Sequence, residues 1–264
     1  MIKQKHSLLS KKIDIIFLIL SPVFASITSL LLKTNFMIST LLFFGIPAIY
    51  LSFRNKHTVK KSLTFSILAI MIIGPFLDYM ALKSNAWYVP STVFPFRIFG
   101  IVPIEDMIWG MFLVYNIVMM YEHFLDKGKH NLKDTNLKYF IFIMIFIAMV
   151  FFLLYYFNPK SLKIPFFYLK FGLGFVVLPA VSFLTFFPRL LSKFVKISTY
   201  IFIQGIMFKL TGLSLNHWGF GDGEYIGWIS FGNLRFPLEE FIFYIILFAT
   251  CVLSYYEFFD DDRK

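Results

Sequence analysis

The sequence predicts an all-α, polytopic membrane protein of about eight transmembrane helices in two parallel repeats, and three observations carry that prediction. First, 58% of the 264 residues are hydrophobic, 21% aromatic and only 15% charged, which is more apolar surface than water solvates on a soluble domain. Second, apolar runs recur that approach or reach the roughly 20 residues a helix needs to cross about 30 Å of hydrocarbon, and none alternates with period two as a barrel strand would. Third, Val102-Pro103-Ile104-Glu105-Asp106-Met107-Ile108-Trp109 and Phe236-Pro237-Leu238-Glu239-Glu240-Phe241 each set two adjacent acids behind a proline at the threshold of an apolar run. Their offset is 134 positions (237 − 103), which marks an internal repeat.

Taken in order, the apolar segments lie at about 13 to 32, 36 to 53, 62 to 82, 104 to 121, 138 to 157, 166 to 187, 194 to 212 and 237 to 256. Lys11 and Lys12 before the first run, with Val23-Phe24-Ala25 inside it, resemble a secretory signal, but the run continues to Leu32 and reads better as a span. The predicted repeats are 1–134 and 135–264, four spans each. Asn85-Ala86-Trp87-Tyr88 precedes the first acidic pair and Asn216-His217-Trp218-Gly219 the second, while Tyr121-Glu122 and Tyr256-Glu257 close the spans that follow.

The net charge of +10 is distributed in short loops rather than on one basic face, which argues against a nucleic-acid partner. Lys3, Lys5, Lys11 and Lys12 precede span 1, and Arg54, Lys56, Lys60 and Lys61 follow span 2. Lys127, Lys129, Lys133 and Lys138 follow span 4, and Arg189, Lys193 and Lys196 follow span 6. By the positive-inside rule these ends, and with them both termini, are expected in the cytoplasm, and the acidic-pair loops on the opposite face. With four spans between motifs, the repeats are related by an axis along the membrane normal. Cys251 is the only cysteine, so no disulfide framework or cysteine-based metal site is available.

Proline at a helix start and acids near the helix N-terminus are also what a well-formed helix wants, so Pro103 and Pro237 with their acids have a purely structural reading. Two equivalent acidic pairs in so apolar a chain point instead to function. Adjacent helical residues diverge by about 100°, so one acid of each pair faces a given cavity. Glu105 shares its stripe with Ile108, Trp109, Phe112 and Asn116, and Glu239 with Ile242, Phe243, Ile246 and Thr250, which suggests those two as cavity-facing. Asp106 and Glu240 then flank them. If Glu105 and Glu239 approach across the axis, they hold a proton between them, which is a general acid.

Asp78 is a candidate proton relay or a surface partner of Lys83, and Lys209 occupies its place in the second half, where snorkelling is the simpler reading. Trp87, Trp109, Trp218 and Phe243 are candidates for stabilising a cation through their ring faces, against an alternative of interfacial anchoring for the tryptophans of the loops. His217 is a second candidate relay. Lys170 and Gln204 are assigned to snorkelling or interhelical hydrogen bonds. Asp260-Asp261-Asp262 reads as a solvated tail beside Arg263 and Lys264 rather than a magnesium site. No dinucleotide, nucleotide, zinc-protease or serine-hydrolase motif is present, so neither cofactor nor metal is expected.

The Pro-Ile-Glu-Asp and Pro-Leu-Glu-Glu-Phe motifs, each behind a tryptophan loop, resemble the acidic signature of the membrane-integral lycopene cyclases, over about 60 to 260. Two departures stand out: Asp106 in place of the second glutamate, and Lys209 where the first half has Asp78. The resemblance implies a lycopene beta-cyclase-like enzyme of the inner membrane, with lycopene or a related acyclic carotenoid as substrate and other carotenoid-pathway enzymes as partners. A carboxylic acid protonates the terminal double bond, the next double bond attacks the tertiary cation, and a base removes a proton from the ring. That isomerisation is redox-neutral and demands an oriented acid in a dry pocket with π faces nearby, with Glu105 and Glu239 as acid and base and Asp106 and Glu240 as their proton partners. The alternative is a cofactor-independent membrane transporter with acidic proton or substrate sites, which would favour spans broken near Gly172, Gly174 and Pro179. A membrane prenyltransferase would need paired aspartate-rich motifs that the chain lacks.

Overall fold

The computed structural model describes residues 2–127 and 134–259; Lys129, Lys133, Asp260, Asp261, Asp262, Arg263 and Lys264 lie outside the described residues. Eight helical segments follow the apolar runs: α1 (Ile2–Leu32), α2 (Phe36–Arg54), α3 (Lys56–Lys83), α4 (Ile104–Asp126), α5 (Asp134–Phe157), α6 (Phe167–Phe186), α7 (Pro188–Ser214) and α8 (Leu238–Ile246 continuing as Phe248–Phe258). Seven contain a stretch long and apolar enough to span a membrane, and α8 makes an eighth if its two pieces, bent by 43°, count as one. The chain is therefore an all-α integral membrane protein.

Burial follows the bilayer's logic, since apolar side chains on the outside face lipid rather than water. α5 exposes Phe142, Ile145, Phe146 and Phe157, so it is peripheral, whereas α4 is the most enclosed span, with Ile117, Val118, Met119 and Tyr121 fully buried. α4 and α8 meet at the centre, and α1 and α2 pack against α7 and α4. Polar side chains link the helices where apolar contact alone lacks direction. Ser26 Oγ lies 2.8 Å from Thr211 Oγ1, Asn116 donates to Gln204 at 3.2 Å, and Gln204 donates to the Phe43 carbonyl at 2.6 Å. That last acceptor lies in a π-helical turn at Leu41–Gly45. Asp14 is enclosed between Tyr50, Arg54 and His123, joining α1, α2 and α4.

Two short hairpins, absent from the sequence reading, introduce α4 and α8. Arg97–Ile98 (β1) pairs with Val102–Pro103 (β2), and Trp228–Phe231 (β3) with Leu234–Pro237 (β4). Gly100 at φ 79° and Gly232 at φ 59° sit in their turns, a backbone region glycine enters without a Cβ clash. The prolines end the strands rather than occupy the first helical turn: Pro103 (φ −65°, ψ 141°) and Pro237 (φ −60°, ψ 141°) remain extended and precede helical Ile104 and Leu238.

One shared backbone conformation and two contacts relate positions the sequence aligns between the halves. Asn85 (φ 54°) and Asn216 (φ 57°) both take the left-handed turn ahead of their tryptophans. Tyr88 and Gly219, one residue beyond them, exchange both backbone hydrogen bonds at 2.9 Å. At the far end, the Tyr121 and Tyr256 rings meet at 6.3 Å. The offset of 134 at the prolines has become 135 (256 − 121) at these tyrosines. The chain between them is α-helical in α4 but π-helical over Phe241–Ile246 in α8, and a π-bulge absorbs one inserted residue.

Candidate functional site

A cavity of about 130 Å³ lies where the tryptophan loops meet α2, α3, α4, α6, α7 and α8. Trp87, Trp109 and Trp218 all line it, together with Lys209, Glu240, Tyr168 and Tyr244. Phe208 anchors the aromatic wall, stacked on Trp109 at 6.3 Å and packed on Trp218 at 5.0 Å. Phe243 stands apart: its ring covers Gly172, where any Cβ would lie 2.0 Å from Cδ2, and Tyr244 rather than Phe243 faces the chamber.

Leu77, Tyr244 and Phe248 also line a second, larger cavity of about 520 Å³ between α3, α5, α6 and α8. Its wall is almost wholly apolar. Three of the polar side chains there turn to backbone: Cys251 Sγ and Tyr255 Oη contact the Phe175 carbonyl at 3.3 and 3.2 Å, and Ser254 Oγ bonds the Thr250 carbonyl of its own helix. The two spaces share these three side chains, Leu77, Tyr244 and Phe248, as a common wall, and the Lys209–Glu240 pair lies at the smaller one.

Glu240 is the one motif acid that lines the chamber, where helix stripes pointed to Glu105 and Glu239. Glu105 Oε1 accepts the backbone N–H groups of Val93 (2.6 Å) and Phe94 (2.9 Å), and Glu239 Oε1 accepts that of Ile226 (2.5 Å). The first acid of each pair therefore latches the loop that precedes its own hairpin, and neither lines the chamber. A stripe argument missed this because it ignores how far a loop folds back over a helix start. Of the second acids, Glu240 lines the chamber and Asp106 does not. Glu240 forms an ion pair with Lys209, which is only 9% exposed and does not snorkel; its ammonium sits 5.1 Å from the Trp218 ring and 5.2 Å from that of Phe220. Asp106 is 1% exposed, and neither of its carboxylate oxygens has a hydrogen-bond partner.

Asp78 is half-buried on α3 and does not line the chamber, although its neighbour Leu77 does. The indole N–H groups of Trp87, Trp109 and Trp218 and Oε2 of Glu240 are also buried without partners, which gives the chamber donors and an acceptor not used by the fold.

His217 does not line the chamber. Its Nε2 lies 2.9 Å from Ser39 Oγ, and burial pushes its pKa down to about 4, so near neutral pH it is an uncharged strut between the second loop and α2. Tyr225 ties the same loop to the first one, donating to the Ala86 carbonyl at 2.9 Å, and burial raises its pKa to about 12. Lys170 is exposed at its helix surface, whereas Gln204 is fully buried in the interhelical network. Among the described residues no group of three or more His, Cys, Asp or Glu side chains is placed to hold a metal ion.

Comparison with protein-family models, curated proteins and solved structures returned no match for this chain.

Proposed function

We propose that the protein is a membrane-integral carotenoid cyclase that closes the acyclic ends of lycopene or a related polyene into beta-type rings by acid–base isomerisation. The observation that carries this reading is the chamber itself, where three tryptophans, two tyrosines and a buried carboxylate stand beside a larger apolar cavity that shares its wall. Such apolar walls suit a long hydrocarbon with no polar headgroup. The ring faces suit a carbocation, which they attract through their quadrupoles. The acids of both motifs are buried, at 6% exposure or less, and so are shielded from bulk water wherever the bilayer lies.

In this reading Asp106 and Glu240 do the proton chemistry, Glu105 and Glu239 shape the chamber by fastening its loops, and Trp87, Trp109 and Trp218 meet the charge. The two halves are a parallel duplication, which the Tyr88–Gly219 and Tyr121–Tyr256 contacts support, because a twofold axis brings equivalent residues face to face. Both termini lie on the cytoplasmic side of the cell membrane. A transporter reading draws on the 43° break in α8 and the π-helical turn at Gly172–Val177. The apolar wall of the larger cavity offers such a solute little to coordinate.

Expression in a host that accumulates lycopene tests the proposal, with pigments separated by chromatography. Cyclised carotene is expected from the native chain and not from Asp106→Asn or Glu240→Gln present at equal level in the membrane. A native chain that leaves lycopene linear overturns the reading.

A further inference from the structure

The larger cavity, of about 520 Å³, has a shape that limits what fills it. Its wall runs along the helices from Leu77 and Tyr244, beside the chamber, to Phe65 and Phe258 at the other end. At about 1.5 Å per residue that is about 18 Å on α3 and about 21 Å on α8, so the space is a trough. π-helical turns at Leu68–Ile72, Gly172–Val177 and Phe241–Ile246 all contribute to its wall, and such turns recur at functional sites. α5 packs on α3 and α8, and α6 packs on α8. Ile143 of α5 and Phe175 and Phe186 of α6 stand on the trough wall yet are 51%, 44% and 78% exposed. The trough therefore opens to lipid between α5 and α6.

Two measures of capacity agree. A cavity of about 150 Å³ holds one benzene, so the trough holds about 20 carbons and the chamber about one six-membered ring. An extended chain advances about 1.2 Å per backbone bond, so about 20 Å of trough holds about 16 bonds. Lycopene, with about 40 carbons and a main chain of about 31 bonds, exceeds the trough about twofold by volume and by length. We propose that the trough binds one half of the polyene, admitted from the bilayer between α5 and α6, while the other half stays in lipid, so that each ring requires its own binding event. This rests on the cyclase reading above. The end group crosses to the chamber at the shared wall of Leu77, Tyr244 and Phe248. The first product is then a monocyclic polyene that leaves before its second end reacts. Selection acts on the near half alone, and a far end that is linear or already closed makes no difference.

Membranes carrying the native chain, supplied with excess radiolabelled lycopene, are expected to accumulate monocyclic carotene, alone or ahead of the bicyclic one. An added unlabelled pool of the monocyclic compound is expected to dilute the label of any bicyclic product. Label that reaches bicyclic product undiluted overturns the proposal. Lycopene retained by the purified chain, read from its visible absorbance, tests the trough itself. Retention is expected to fall at least about tenfold in Ala69→Trp and Ser182→Trp, which fill the trough from α3 and α6 and remove apolar contact from the ligand. Ser182 is itself exposed, so an indole there displaces no packed core. Ile67→Trp and Val181→Trp, on the same helices but exposed and off the wall, are expected to retain lycopene as the native chain does. Native retention in both fillers overturns the proposal. Rings formed at the native rate by both fillers overturn the trough and leave the cyclase reading standing. A native chain that forms no ring, but whose retention the fillers abolish, overturns the cyclase reading and supports the trough as a hydrocarbon site.

Discussion

Replacing Gly212 by alanine isolates the contact that holds Trp218 in the chamber wall. A Cβ at Gly212 would lie 2.1 Å from Cη2 and 2.5 Å from Cζ3 of that indole, where carbon atoms rest at about 3.5–4.0 Å, so the ring must move by on the order of 1.4 Å. Phe208 at 5.0 Å and Phe36 at 5.5 Å stand in its way. Overpacking of this kind costs about 1–3 kcal/mol, while alanine in place of glycine within a helix returns about 1 kcal/mol. Gly205, on the same helix and also lining the chamber, supplies the control: its Cβ would meet only Ile245 Cγ2, at an ordinary 3.9 Å. The helix gain cancels between Gly205→Ala and Gly212→Ala, and a gap of about 1–3 kcal/mol remains. At about 2–4 °C per kcal/mol for a chain of this size, Gly212→Ala should melt about 2–12 °C below Gly205→Ala. Cys251, the only cysteine and 5% exposed, reports unfolding in detergent through a thiol-reactive fluorescent dye. Equal melting of the two variants would refute the placement of Trp218 against α7.

Glu105→Ala and Glu239→Ala should each cost about 1–3 kcal/mol by stranding loop amides and should speed proteolysis of the tryptophan loops; glutamine at either site keeps an acceptor and should cost less. Lys209→Met should destabilise by about 3–5 kcal/mol because it leaves a buried carboxylate alone, and adding Glu240→Gln should recover most of it; strictly additive melting shifts would contradict the ion pair. His217, with a folded pKa of about 4 against about 6.5 unfolded, gives the unfolded state the extra proton between those values. Its contribution is therefore complete above about pH 6.5 and declines as pH falls toward 4. His217→Gln should flatten that part of the melting-midpoint profile, and an unchanged slope would count against burial of the neutral ring.

The repeat motifs, the eight apolar runs and the three tryptophans of the chamber could be read from the chain because bilayer length and helical spacing act on local sequence. The paired Phe-Gly steps at Phe99-Gly100 and Phe231-Gly232 signalled the hairpins, but weakly beside the helical pattern around them. Which acid lines the chamber was not local at all. Glu105 and Glu239 are drawn to amides 11 to 13 residues earlier in the chain, and Lys209 is removed from the surface by a partner 31 residues away. Residue type and period determined the spans and the acidic thresholds. Only tertiary packing decided the orientation of each carboxylate, because a buried charge turns toward whichever donor the fold brings within reach.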